Sequence, residues 1–397
     1  MGRKTSRLWT SQFIVIVVMA FLFFLCLQLL TAGFPAYIME IKKNPTQAGL
    51  MTTVFMGAAI LTRPLIGYLI HKIDVKLMSI ITLVLLVLTV GVSFGQTSVG
   101  LLLCLRALHG VAFGIITTIL STLATNIIPV KRLGEGIGYY GLATSVGTSV
   151  APMFAISMLQ LYSYNLLIIL SIVMTIAALV LGFFVKTPKI NASADTDKQI
   201  SFKEYAFDKK ALLPCILAMF FTTTLGGVIS FLSGLGEEAN IGASVSLFFL
   251  MMTVMMVVVR PFSGRLYDNL GHKIIIYPAA IAGIIGLFLL SITENTVTLL
   301  IAGVLYGFSY GIMTPTLQAI AVGFVEKEKQ GTANAMFFSS MDLGIAVGST
   351  GLGVLASLTS YHFIYGFSII SLLVLLLLYT FVFVRGENAK KVVETAL

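Results

Sequence analysis

Leu77-Met-Ser-Ile-Ile-Thr-Leu-Val-Leu-Leu-Val-Leu-Thr-Val-Gly-Val-Ser-Phe94 is a run of eighteen residues without a charge. As a helix it would extend about 27 Å at 1.5 Å per residue, close to the ~30 Å hydrocarbon core of a bilayer. Its apolar residues follow one another, whereas a barrel strand alternates apolar and polar positions. Phe367–Val384 reads the same way. In lipid only helices and closed barrels satisfy their backbone groups, so these runs predict an all-α membrane protein.

Outward from these runs, twelve apolar segments are expected, at about 12–38, 46–70, 77–95, 98–124, 136–159, 165–185, 211–235, 244–267, 273–292, 296–322, 332–357 and 362–384. The composition agrees. Only 10% of the 397 residues are charged and mean hydropathy is +1.01, against about 25% charged in soluble domains. The first run, 13–38, is too long for a signal-peptide core and reads as a span. The longest polar stretch, 186–210, divides an N-terminal six-helix bundle (1–185) from a C-terminal one (211–397). Cys26, Cys104 and Cys215 lie in apolar runs, so neither a disulfide nor a metal site is expected.

The net charge of +9 follows from topology and gives no reason to expect nucleic acid. With the N-terminus inside, twenty of the twenty-five Lys and Arg fall in cytoplasmic segments, among them Arg3, Lys4, Lys72, Lys76, Lys203, Lys327 and Arg385. The outside loops hold Lys42 and Lys43; Arg63, Arg106 and Arg260 lie within or at the ends of spans. Both termini are therefore expected in the cytoplasm of a multi-pass protein of the cell membrane.

The halves repeat at an offset of 197. Arg63-Pro64 falls on Arg260-Pro261, Gly67 on Gly264 and Lys76 on Lys273. Gly110, Gly114 and Gly147 fall on Gly307, Gly311 and Gly344. Internal duplication around a midplane binding site characterises secondary transporters.

Four features carry candidate chemistry. Gly67-Tyr-Leu-Ile-His71-Lys72-Ile-Asp74-Val-Lys76 and its echo Gly264-Arg-Leu-Tyr-Asp268-Asn-Leu-Gly-His-Lys273 join spans on the basic side. They could simply be tight basic turns. In the fourth span Arg106, His109, Gly110, Phe113 and Gly114 share one helical face. An arginine that deep costs roughly 2.5–3.5 kcal/mol on insertion scales, so it should face protein or a wet cavity, unless it snorkels to the interface. His109 can titrate near neutral pH. The fifth span carries Gly138, Gly147 and Pro152 among small residues, which also suits ordinary close packing. In the eleventh span Asp342 is the one carboxylate clearly deep in an apolar run, with Ser339 and Ser349 on its face. A buried carboxylate that takes up a proton in one state and releases it in another would serve coupling; a structural hydrogen bond is the alternative.

These motifs resemble those of the major facilitator superfamily, over essentially the whole chain. The first loop resembles its G-x-L-a-D-R-x-G-R-[KR] pattern, with His71 in place of aspartate and Asp74 in place of glycine; the second copy keeps Asp268 and Gly271. The fourth span is similar to the R-x-x-Q-G pattern of proton-coupled members, with His109 for glutamine. The fifth resembles the antiporter motif of drug:proton exporters, with Ala151 for a glycine.

The resemblance implies two pseudo-symmetric six-helix bundles and alternating access. It also implies a latch at Arg63, Gly67, His71, Lys72, Asp74, Lys76, Arg260, Gly264 and Asp268, and coupling at Arg106 with His109, to which the buried Asp342 is added from its depth. Spans one, four, seven and ten would line a substrate cavity, with spans two, five, eight and eleven at its sides. Candidates there are Gln28, Phe34, Phe55, Phe113, Tyr139, Tyr140, Thr144, Phe220, Phe221, Tyr306, Tyr310, Gln318 and Phe338. Aromatics with a few polar groups suit an amphiphilic organic solute.

The expected function is proton-coupled efflux of a small organic solute, drug-like or metabolite, by a monomer without a cofactor. The rivals are a dedicated metabolite or metallophore exporter, a proton-coupled importer and a non-transporting membrane sensor. No nucleotide-binding P-loop, metal spacing or enzyme signature appears.

Overall fold

A computed structural model describes residues 7–186 and 206–384. Residues 187–205, most of the expected linker, lie outside the described residues, as do Arg3, Lys4 and Arg385. Among the described residues twelve helices are long and apolar enough to cross a membrane. They are α1 (Ser11–Lys42), α2 (Pro45–Leu69), α3 (Val75–Val92), α4 (Val99–Ile127), α5 (Leu133–Leu161), α6 (Tyr164–Phe184), α7 (Lys209–Glu238), α8 (Val245–Leu270), α9 (His272–Ser291), α10 (Thr296–Gly323), α11 (Gln330–Leu358) and α12 (Tyr361–Leu378). A π-helical turn, Tyr379–Val384, follows α12. Among the described residues there is no strand. The chain is a multi-pass all-α membrane protein.

Several helices outrun their apolar segments because polar residues end them. α1 continues to Lys42 and stops at Lys43, whose left-handed backbone (φ 50°) returns an N–H to the Met39 carbonyl. Asn44 then caps α2 by accepting from the Gln47 N–H, with Pro45 in the first turn.

The chain forms two compact units, residues 1–209 with 322–339 and residues 210–321 with 340–397. In the first, α1 packs chiefly on α5 and α6, and α2 on α4. Missing side chains permit this approach. A Cβ on Gly110 would meet the Phe55 carbonyl oxygen and lie 2.9 Å from the Ala58 Cβ. A Cβ on Gly147 would lie 3.0 Å from the Phe21 carbonyl oxygen.

The second half of the chain repeats the scheme at several equivalent positions. A Cβ on Gly307 would meet the Met252 carbonyl oxygen, and Gly307 and Met252 stand 197 beyond Gly110 and Phe55. The bounds of α5 plus 197 are those of α11, and each helix follows a short 3-10 turn, 130–132 or 327–329. Ser163 and Ser360, again 197 apart, cap α6 and α12 by accepting from Leu166 and Phe363 N–H.

Candidate functional site

Arg106 sits seven residues into α4 and has no exposed surface. Its Nε donates to the Met51 carbonyl at 3.2 Å and its Nη2 to the Thr31 hydroxyl at 3.0 Å. Thr31 can accept because its own hydrogen goes to the Leu27 carbonyl at 2.7 Å. The guanidinium lies 4.1 Å from the Phe55 ring centroid and 5.2 Å from that of Phe34, both attractive cation–π contacts. Nη1 has no hydrogen-bond partner. Every group that holds this cation is neutral.

Phe34 also meets two other polar side chains edge-on, His109 and Tyr164, each at 5.9 Å. His109 is fully buried, and neither ring nitrogen makes a well-aligned hydrogen bond; the Thr89 backbone is its one weak hydrogen-bonding neighbour. Tyr164, 6% exposed, stacks on Tyr37 at 3.7 Å, and its hydroxyl has no partner. Thr31 and the Met51 carbonyl were not legible as partners of Arg106, because α1, α2 and α4 must assemble before they meet.

Arg63 and Arg260 form a related pair of arrangements, one in each unit. The Arg63 guanidinium lies 5.7 Å from the Phe113 ring and 5.1 Å from that of Phe338. Arg260 lies 5.8 Å from Tyr310, the residue 197 beyond Phe113, and its Nη2 donates to the Thr314 hydroxyl at 3.3 Å. Phe221 stacks on Tyr306 and Tyr310 at 6.1 and 6.0 Å, and the Tyr306 hydroxyl meets that of Thr224 at 2.7 Å.

The other cavity candidates are dispersed. Gln28, Tyr139, Thr144, Phe220, Tyr310 and Phe338 are half-buried, while Phe34, Phe55, Phe113, Tyr140, Phe221, Tyr306 and Gln318 are buried. Asp342 is half-buried in the second unit with its Oδ2 enclosed. Ser349, on its face, donates to the Gly226 carbonyl at 3.3 Å. In the fifth-span motif Gly138 is buried, Gly147 meets α1, and Pro152 faces outward.

The two loop copies build their turns differently. Gly271 turns the second with φ 79°, a conformation that favours glycine. At the equivalent place in the first, Asp74 has φ −58° and its carboxylate accepts from the Lys76 and Leu77 N–H groups, capping α3. His71 Nε2 pairs with the Thr332 hydroxyl at 3.0 Å, and Thr332 reaches back to the Gly67 carbonyl at 3.4 Å. Burial, then the nearby Lys329 ammonium, push the His71 ring down to about 4, so it is neutral near pH 7. Lys76 donates to the Phe183 carbonyl at 2.8 Å, and the Lys72 ammonium lies 4.6 Å from the Tyr68 ring. Arg63, Gly67 and Gly264 are buried, and Asp268 is half-buried.

At one edge of the second unit, Glu238 accepts from the Tyr361 N–H at 2.8 Å and from His362 Nδ1 at 2.9 Å, while His362 Nε2 faces the Thr293 carbonyl at 2.8 Å. Among the described residues no three His, Cys, Asp or Glu side chains group to hold a metal.

Twelve membrane-length helices in two repeating units, with Arg106 held inside by neutral partners, define a polytopic carrier. The chain belongs to the Major Facilitator Superfamily, whose profile matches residues 16–349 and 286–396. It is 23% identical over 289 residues to an uncharacterized MFS-type transporter of Methanocaldococcus jannaschii, covering 71% of this chain and 74% of that one. It is 21% identical over 378 residues to the staphylopine export protein of Staphylococcus aureus, covering 91% and 93%. In fold it is similar to the human organic anion transporter MFSD10, with a TM-score of 0.78 at 14% identity over 92% and 98% of the two chains. The chain is thus a membrane transporter of this superfamily, and its fold is that of carriers rather than enzymes.

Proposed function

We propose that the chain exports a small organic solute across the cell membrane in exchange for protons, as a monomer with both termini in the cytoplasm. The observation that carries this reading is the placement of Asp342. It is the one acidic residue in the twelve described helices more than two residues from a helix end. A carboxylate kept at that depth is costly unless it works, and reversible protonation is the work it can do there. The near full-length similarity to an export protein supports the outward direction, as does the small-residue pattern of α5.

In this reading Asp342 carries the proton, and Arg106 and His109 bias its release through the change of access. The half-buried Gln28, Tyr139, Thr144, Phe220, Tyr310 and Phe338 meet the solute, and the His71 and Asp268 loops latch one access state. One proton moving inward through 100 mV supplies about 2.3 kcal/mol, enough for roughly fifty-fold accumulation outside. Arg106 favours a second, narrower reading, a dedicated exporter of one anionic or zwitterionic metabolite.

Cells with and without the chain are compared for drug susceptibility and for metabolites released to the medium, and the comparison is repeated with Asp342→Asn and Arg106→Ala. Release that depends on the chain and is lost with Asp342→Asn is expected. Solute uptake in place of release would refute export, and an unaltered Asp342→Asn would remove that residue from coupling.

A further inference from the structure

We propose that the Arg106 box is the receptor for a carboxylate of the transported solute, so that the chain selects carboxylate-bearing solutes over neutral or purely cationic ones. The proposal rests on the transport reading above and adds the substrate class.

The donor inventory is the first argument. Arg106 has five N–H groups, and only Nε and Nη2 donate to protein. Nη1 is unpartnered although the residue has no exposed surface, and the Tyr164 hydroxyl beside the same Phe34 ring is also unpartnered. Among the described residues no carboxylate lies within 4 Å of the guanidinium. A buried cation with spare donors and no counter-charge lacks an anion. A carboxylate accepts two parallel N–H bonds from a guanidinium edge, and the Phe34 and Phe55 faces keep water from competing.

The second argument is that the scaffold does not require an arginine here. The residue 197 beyond Arg106 is Gly303, and a Cβ there would lie 3.0 Å from the carbonyl oxygen of Phe248, the counterpart of Met51. The second unit therefore closes the same helix crossing with glycine against a phenylalanine backbone. Arg106 is an addition to the repeat, and a purely structural role leaves it unexplained.

The third argument is access. Pro35 follows Phe34 inside α1. It has no N–H to give the carbonyl four residues back, that of Thr31, so the α1 ladder is interrupted at the box wall.

The test uses purified full-length chain with benzoate, its neutral isostere benzamide, and chloride as probes, following thermal stabilisation against probe concentration. Benzoate should stabilise the wild type and benzamide should not. The apparent affinity for benzoate should fall at least tenfold in Arg106→Gln and severalfold in Tyr164→Phe, which keeps the cation and the fold. Arg106→Lys should retain part of the response. No benzoate response, an equal response to benzamide or chloride, or full benzoate affinity in both Arg106→Gln and Tyr164→Phe overturns the proposal. Proton-driven flux without a benzoate response would defeat the carboxylate receptor alone; a benzoate response without any flux would defeat the transport reading alone.

Discussion

Replacing Gly110 with alanine probes the packing on which the Arg106 box depends. The new Cβ would press on the Phe55 carbonyl oxygen and lie 2.9 Å from the Ala58 Cβ and 3.0 Å from the Phe55 carbonyl carbon. Two of these atoms are backbone, so α2 must move away from α4. Overpacking of this kind costs about 1–3 kcal/mol. Gly57→Ala, on α2, is the matched control: nothing lies within 4 Å of its new Cβ, and it gains up to about 1 kcal/mol of helix propensity. The propensity gain is common to both substitutions, so the two variants should differ by about 1–3 kcal/mol, roughly 2–12 °C in melting temperature for a unit of this size.

The assay is thermal unfolding of purified protein followed with a thiol dye. Cys104 is exposed and can be blocked beforehand, while buried Cys26 and Cys215 report on the first and second units. Gly110→Ala should expose Cys26 earlier, and Gly307→Ala should do the same to Cys215, because its Cβ would meet the Met252 backbone. Equal melting of Gly110→Ala and Gly57→Ala would refute the close α2–α4 crossing.

Other substitutions test the remaining sites. Asp342→Asn should abolish proton-driven flux while solute binding, measured by thermal stabilisation, persists. The His71–Thr332 contact should weaken in acid. The unfolded ring takes up a proton near 6.5 and the folded ring only near 4, so between these values the unfolded state binds more protons and stability falls as pH drops. His71→Gln should flatten this loss in melting curves between pH 7 and 5. His71→Asp should strengthen the contact by about 0.3–1 kcal/mol, since an anion would face the first turn of α11. His362→Ala should cost only about 0–1 kcal/mol because its pair with Glu238 is partly exposed. It should nevertheless speed hydrogen exchange at the Tyr361 amide, whose acceptor Glu238 is left less restrained.

The fold was legible because apolar length and the 197-residue repeat are written directly in the chain. Helix ends were less so, since α1 outlasts its apolar run through a left-handed Lys43 that no hydropathy pattern marks. Arg106 was legible as a buried cation from its depth alone. Its partners were not: one is the Met51 backbone carbonyl on α2 and the other, Thr31, lies 75 residues away on α1. Asp74 looked like a departure from a glycine turn, and its capping of α3 supplies the reason. The His71–Thr332 contact joins residues 261 apart and has no local signature.

Proton exchange in everted membrane vesicles tests the central claim most directly. Respiration acidifies the vesicle interior, a fluorescent dye reports the gradient, and solutes whose release depends on the chain are added outside. The account predicts that each such solute discharges the gradient in wild-type vesicles and leaves it intact in Asp342→Asn vesicles. Discharge of equal size in both, or solute that moves in the same direction as the proton, would contradict it.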